Sequence, residues 1–105
     1  MAVIEKKDID FKECAESNDK IMIKFFADWC GSCRLLAPKF ERLSEEPDNK
    51  SILFVKVNAE HNPQLRQMVG VDNLPYFAAI DKMKILDKDS TSKEDRIKEI
   101  IEKLR

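Results

Sequence analysis

Phe25-Phe26-Ala27-Asp28-Trp29-Cys30-Gly31-Ser32-Cys33-Arg34 is the stretch whose reading decides the rest of this chain. Ahead of it, Ile21 to Ala27 is an apolar run broken only by Lys24, the pattern of a strand buried on both faces at the centre of a sheet. Behind it, Leu35, Leu36, Phe40 and Leu43 repeat at helical spacing up to the turn cluster Pro47-Asp48-Asn49. Two cysteines therefore stand where a strand gives way to a helix. A helix N-terminus presents unpaired N–H groups and a partial positive charge, which together favour a thiolate over the ~8.5 pKa of a free thiol. Cys30 is expected to be the exposed nucleophile. Residues i and i+3 on a helical turn lie ~5–6 Å apart, close to the Cα spacing of a disulfide, so Cys33 can close the ring. The cycle implied is attack by Cys30 on a substrate disulfide, a mixed disulfide, and release by attack of Cys33. Gly31 is read as the residue that lets the backbone turn tightly between the cysteines, and Trp29 as a flat apolar surface for a substrate chain.

Working outward, the remaining elements alternate. Val3-Ile4 predicts a short strand. Asp8 or Asp10 is expected to cap a helix carrying Phe11, Cys14 and Ala15 on one face. Pro38 falls inside the helix after the cysteines and predicts a kink. Ile52 to Val57 reads as the next buried strand, and Asn62-Pro63 as a cap with proline at the first helical position, the helix running through Met68 and stopped by Gly70. Tyr76 to Ile80 and Lys84 to Leu86 predict an antiparallel hairpin about Asp81-Lys82-Met83. Ser92 with Asp95 forms a near capping box before the stripe Ile97, Ile100, Ile101 and Leu104. The order is β-α-β-α-β-α-β-β-α, an α/β fold with a mixed central sheet and helices on both faces, in one domain over residues 1–105.

Composition narrows the functions. Of 105 residues, 43% are hydrophobic and 37% charged, enough for a core under a heavily charged surface. Nineteen Lys and Arg against twenty Asp and Glu give a net charge of -1, so no basic field favours nucleic acid or an anionic membrane. No apolar run approaches the ~20 residues of a membrane span, and the first residues lack the order of a secretory signal. The expectation is a cytoplasmic monomer. Three cysteines, two of them a Cys-x-x-Cys, are not a secreted disulfide scaffold. Half of a zinc site has the same spacing, but the other candidates, Cys14 and His61, stand on separate elements without paired spacing, so no metal is expected. Cys14 reads as a buried structural thiol and His61 as a solvated loop residue. Tyr76 reads either as a strand residue or as a rim contact.

Trp29-Cys-Gly-Ser-Cys-Arg34 is similar to the thioredoxin signature Trp-Cys-Gly-Pro-Cys-Lys, and the resemblance extends over the whole chain. Pro38 matches the family's helix-kinking proline, Lys56 its charged residue in the third strand, and Leu74-Pro75 its cis-proline pair. The resemblance implies a thioredoxin fold with Pro75 cis and facing the dithiol, and with the Leu74 backbone pairing to an extended substrate. It implies reduction of protein disulfides through Cys30 and Cys33, recharging by a thioredoxin reductase, and no bound cofactor. Two departures bear on the chemistry. Lys24 replaces a buried acid that in the family helps deprotonate the resolving cysteine, and Ser32 replaces proline between the cysteines. A cation and a hydroxyl near sulfur both favour the thiolate form, which predicts a less reducing pair. The family's glycines near the last hairpin are also missing, Lys82 to Ser90 being mostly charged and polar. Two other readings follow from these departures: a more oxidising, isomerase-like protein, and an interaction module on the same fold.

Overall fold

The computed structural model describes residues 2–105. Five strands, β1 (Val3–Glu5), β2 (Lys20–Phe26), β3 (Leu53–Asn58), β4 (Tyr76–Asp81) and β5 (Lys84–Ser90), form one sheet in the order β1-β3-β2-β4-β5. β1, β3 and β2 run parallel, whereas β4 and β5 are antiparallel to their neighbours. The helices are α1 (Asp8–Ser17), α2 (Gly31–Ser44), α3 (Pro63–Val69) and α4 (Glu94–Glu102), with a short 3-10 turn at Pro47–Asn49. Order, hairpin and mixed sheet are as the sequence predicts, with β5 running four residues beyond Leu86.

The two-residue period of a strand sorts β2 between two cores. Ile21, Ile23 and Phe25 meet Phe11 and Cys14 of α1 and Leu65 and Val69 of α3. Met22 faces the other way, against Leu36, Phe40 and Leu43 of α2 and the stripe Ile97, Ile100, Ile101 and Leu104 of α4. Ile21 to Phe25 are all buried, as expected of a strand covered on both faces. Lys24 has the parity of Met22, and Lys56 that of Phe54, so both lysines project to the α2 face.

Several local expectations are corrected. Neither Asp8 nor Asp10 is the N-cap of α1; that position is Lys7, whose N–H donates to the Asp10 carboxylate at 2.8 Å. Asp8 instead turns to the start of α3, where its carboxylate accepts the Gln64 and Leu65 N–H groups at 3.0 and 2.8 Å. Asn62 does hold the N-cap position of α3 with Pro63 following, but its side chain makes no capping bond there, because the carboxamide is occupied by the Asp8 N–H and the Asn58 carbonyl. The two helix starts are thus tied to each other across the chain. Ser92 does not cap α4; Lys93 occupies that position, and its N–H donates to the Thr91 hydroxyl. Leu35 is off the core face and 78% exposed, one position round the helix from buried Leu36. Gly70 does end α3, in the left-handed region at φ 82°, its N–H returning to the Arg66 carbonyl. The hairpin turn places Lys82 and Met83 at φ 51° and 68°, the two-residue geometry usually given to Asn-Gly.

Candidate functional site

β2 ends at Phe26, and a tight turn closed by the Cys30 N–H on the Ala27 carbonyl at 3.1 Å delivers Cys30 to the N-cap of α2. Cys30 and Cys33 form a disulfide with Cα atoms 5.3 Å apart, the spacing expected of i and i+3. The expected difference in exposure is absent. In this oxidised state Cys30 is 4% and Cys33 2% exposed, because each sulfur covers the other and both pack with Ala27, Phe26 and Leu74. Hydrogen bonding distinguishes them instead. The Cys33 N–H, one of the unpaired donors of the helix start, points at the Cys30 sulfur at 3.2 Å, and the Ser32 hydroxyl lies 3.7 Å from that same sulfur. A negative charge on Cys30 would therefore be stabilised by the first turn.

The tight turn does not depend on Gly31. A Cβ there would meet nothing within 4 Å and its φ is not left-handed, since the change of direction occurs at Cys30, in extended conformation at φ -82° and ψ 101°. Trp29 is 65% exposed beside the disulfide, so it is a surface residue and no part of the core. The Leu74–Pro75 bond is cis, and Leu74 packs against the cysteines. The Leu74 N–H is already held by the Asn73 side chain at 2.9 Å, so pairing with a substrate strand through this group requires Asn73 to swing away. Tyr76 resolves to a buried strand residue, edge-on to Phe25 at 6.5 Å. His61 is exposed and Cys14 buried, with burial pushing the Cys14 thiol pKa up.

Lys24 is the one charged residue in the buried core among the described residues, at 4% exposure. Its side chain is almost wholly covered, with a little surface left on the cleft beside Cys33. Its ammonium donates to the Cys33 carbonyl at 2.8 Å and lies 6.0 Å from the Phe40 ring centroid. Burial first, and then the charge of Lys56, lower its pKa from the ordinary 10.5 to about 8. Lys56 is its register partner on β3, exposed, with its ammonium 5.8 Å from the Phe26 ring centroid. Sequence reasoning missed two supporting residues. Arg34 donates to the Asp28 carbonyl at 2.8 Å, bracing the motif from within, and was signalled only by its place beside Cys33. Asn73 had no sequence signal beyond preceding Leu74-Pro75. Among the described residues no cluster of His, Cys, Asp and Glu is placed to hold a metal, and no helix is long and apolar enough to cross a membrane.

The model of the family described as thioredoxin matches residues 2–103. This chain belongs to the thioredoxin family. Among its relatives, Thioredoxin-T of Drosophila melanogaster is 29% identical over 96% of the chain, and a thioredoxin of Malassezia sympodialis is 34% identical over 64% of it. The match spans 64% of the length of each of these curated relatives. The X-ray structure of Fasciola hepatica thioredoxin superposes with a TM-score of 0.86 at 30% identity, covering 100% of both chains. The five-stranded sheet with its four helices is thus the thioredoxin fold, and Cys30–Cys33 is its cysteine pair.

Proposed function

We propose that this chain is a thiol-disulfide oxidoreductase that reduces disulfides in protein substrates through Cys30-Gly31-Ser32-Cys33. The observation that carries the proposal is the Cys30–Cys33 disulfide at the start of α2, with the Cys33 N–H directed at the Cys30 sulfur. In the reduced protein the Cys30 thiolate attacks one sulfur of a substrate disulfide. The Cys30–substrate bond forms as the substrate bond breaks, and the leaving thiolate takes a proton. Cys33 then loses its proton and attacks the Cys30 sulfur, which restores the Cys30–Cys33 disulfide and releases the second substrate thiol. Two electrons and two protons pass to the substrate. The structure corresponds to the end of that cycle, and a reductase donating two electrons, in the role of a thioredoxin reductase, would reset it.

Trp29, Gly31, Leu74 and Pro75 are assigned to substrate contact. Trp29 offers an exposed ring beside the sulfurs, the open side of Gly31 keeps side-chain bulk away from Cys30, and Leu74–Pro75 forms the opposing wall. Lys24, Ser32 and Lys56 modulate the pair through charge and hydrogen bonding. The chain works as one domain over residues 1–105, as a monomer, in a reducing compartment such as the cytosol, where such dithiols are kept charged. Turbidity of insulin reduced with dithiothreitol tests the reading: wild-type protein should accelerate precipitation and Cys30→Ser should not. Lys24 and Ser32 favour a second reading, a more oxidising protein acting as an isomerase. A measured reduction potential near that of disulfide isomerases, ~-180 mV, would favour it over the ~-270 mV that characterises thioredoxin.

A further inference from the structure

Among the described residues, five of the nineteen Lys and Arg meet a carboxylate. Arg42 and Lys98 bind Glu94, Arg96 binds Asp87, Asp89 and Glu99, Lys103 binds Asp87, and Arg105 approaches Glu46. The cleft beside the disulfide gathers three that do not. It encloses about 340 Å³ and reaches Cys33, with Lys24, Lys56 and Arg34 as three cations, Phe26 as an apolar wall and Asp28 as its lone carboxylate. Among the described residues none of these three cations has a carboxylate partner.

An ammonium has three donors, and the Cys33 carbonyl occupies one donor of Lys24. The side chain is 4% exposed, so water is largely withheld from it. Lys56, opposite in the register, adds a like charge rather than relief. On the far side, Glu41 of α2 shares a second cleft with Lys24 and Lys56, yet one of its oxygens is buried without a partner and neither lysine pairs with it. Removing charge from water without an opposite charge is unfavourable, and a carboxylate brought into the cleft would relieve both lysines together. Burial and Lys56 are what depress the Lys24 pKa, and at neutral pH Lys24 still carries its charge in the main.

We infer that this cleft receives a carboxylate carried by the disulfide substrate, so that among disulfides of equal size the protein discriminates in favour of anionic ones. The inference rests on the exchange activity proposed above and names the substrate class for the same dithiol. Chemistry at sulfur is unchanged: the substrate disulfide is cleaved to two thiols and the protein dithiol is oxidised to its disulfide. The carboxylate supplies only binding and orientation.

Three small disulfides of matched length test this: dithiodipropionate, which is anionic, cystamine, which is cationic, and bis-hydroxyethyl disulfide, which is neutral. Their leaving thiols differ in reactivity, so the readout is the change in the kcat/KM ratio between variant and wild type. Lys56→Glu alters an exposed side chain and should lower dithiodipropionate relative to cystamine by about fivefold, with the neutral disulfide between them, as expected for an exposed charge contact. Lys24→Gln should shift the ratio in the same direction, and added salt should diminish the discrimination of the wild type. An unmoved ratio in Lys56→Glu, or insulin reduction with no measurable turnover of any small disulfide, overturns the carboxylate inference alone. Failure to reduce insulin as well overturns the exchange reading beneath it.

Discussion

Two clusters of positive charge, one reaching from α4 to β5 and one on β2 and β3, are handled in opposite ways. Around Arg96, the guanidinium takes Asp87 with two nitrogens at 2.9 and 3.0 Å and Asp89 with a third at 2.9 Å, and Lys103 joins Asp87 at 3.4 Å. This network fastens α4 to β5. Around Lys24 the charge is deeper, unpaired with any carboxylate, and set against the peptide of a redox cysteine. Where charge serves the fold it is neutralised by a partner and left near water; where it lies beside the dithiol it is left unbalanced. An unbalanced buried cation costs the fold stability, and that cost is what sets this region apart from the Arg96 network.

The sharpest way to break the comparison is at the sulfurs. Cys30→Ser should abolish insulin reduction, whereas Cys33→Ser should accumulate mixed disulfides visible as a mass increase on the intact protein, because no resolving thiol remains. In the disulfide state both cysteines are buried, and what separates them is the first-turn N–H directed at the Cys30 sulfur. Rapid alkylation of Cys33 with Cys30 inert, in the reduced protein near neutral pH, would reverse the two roles.

Next in size is the cost of Lys24. A lysine whose folded pKa lies near 8 against an ordinary 10.5 binds fewer protons folded than unfolded between those values. Stability therefore rises with pH across that window, and the burden is fully present below about pH 8. Lys24→Met, with a similar stem and no charge, should be more stable than wild type at pH 7 by at most roughly 3 kcal/mol, the difference shrinking towards pH 10. Urea midpoints of both proteins at the two pH values measure this. A difference that is the same at both would show that the ammonium is solvated and that the contrast with Arg96 is only apparent.

Both the fold and the dithiol were legible because they rest on short-range rules. The apolar run before Cys30, the helical repeat after it and the i, i+3 cysteines each need only a few neighbouring residues. The caps were not legible for the same reason: Asp8 finds its donors at Gln64 and Leu65, and no local pattern announces a partner that far along the chain. Leu35 failed because helical spacing admits neighbouring residues as candidates and only packing selects Leu36. The environment of Lys24 was beyond sequence altogether. An apolar run containing one lysine is consistent with a stem that reaches solvent, and what decides otherwise is the closeness of the Cys33 carbonyl beneath α2.

The paired cluster gives a smaller and oppositely signed effect. Arg96→Met should destabilise by roughly 1–2 kcal/mol, above the usual value for an exposed pair because the contact is two-pronged and partly sheltered. The Arg96 hydrogen bond is the main cause holding the Asp87 carboxyl below the ordinary carboxylate range. Its contribution is present above the unfolded pKa of ~4 and is lost as pH falls through the folded value, so the gap between wild type and Arg96→Met should close in acid. Thermal melts at pH 7 and at successively more acidic pH check it, and a gap that does not narrow as the pH falls would assign the loss to the apolar stem of Arg96.

Ser32 gives the smallest expected shift and bears most directly on the potential. Its hydroxyl is 3.7 Å from the Cys30 sulfur, a contact available to a sulfur acceptor and longer than a strong hydrogen bond. In the reduced protein the same hydroxyl can donate to a Cys30 thiolate, which lowers the free energy of the reduced form and raises the potential. A hydrogen bond to a charged group is worth ~1.5–3 kcal/mol at best, and the long contact argues for the lower end or less. Since 1.4 kcal/mol corresponds to ~30 mV for a two-electron couple, Ser32→Pro should lower the potential by about 20–30 mV. Ser32 is exposed in the first turn of α2, where proline's fixed φ suits the helix, so the change should leave the fold intact. Ser32→Ala separates hydroxyl from backbone: if it lowers the potential as far as proline does, the hydroxyl is the cause. If only proline responds, the effect belongs to backbone rigidity, and the first-turn N–H alone would then distinguish Cys30 from Cys33.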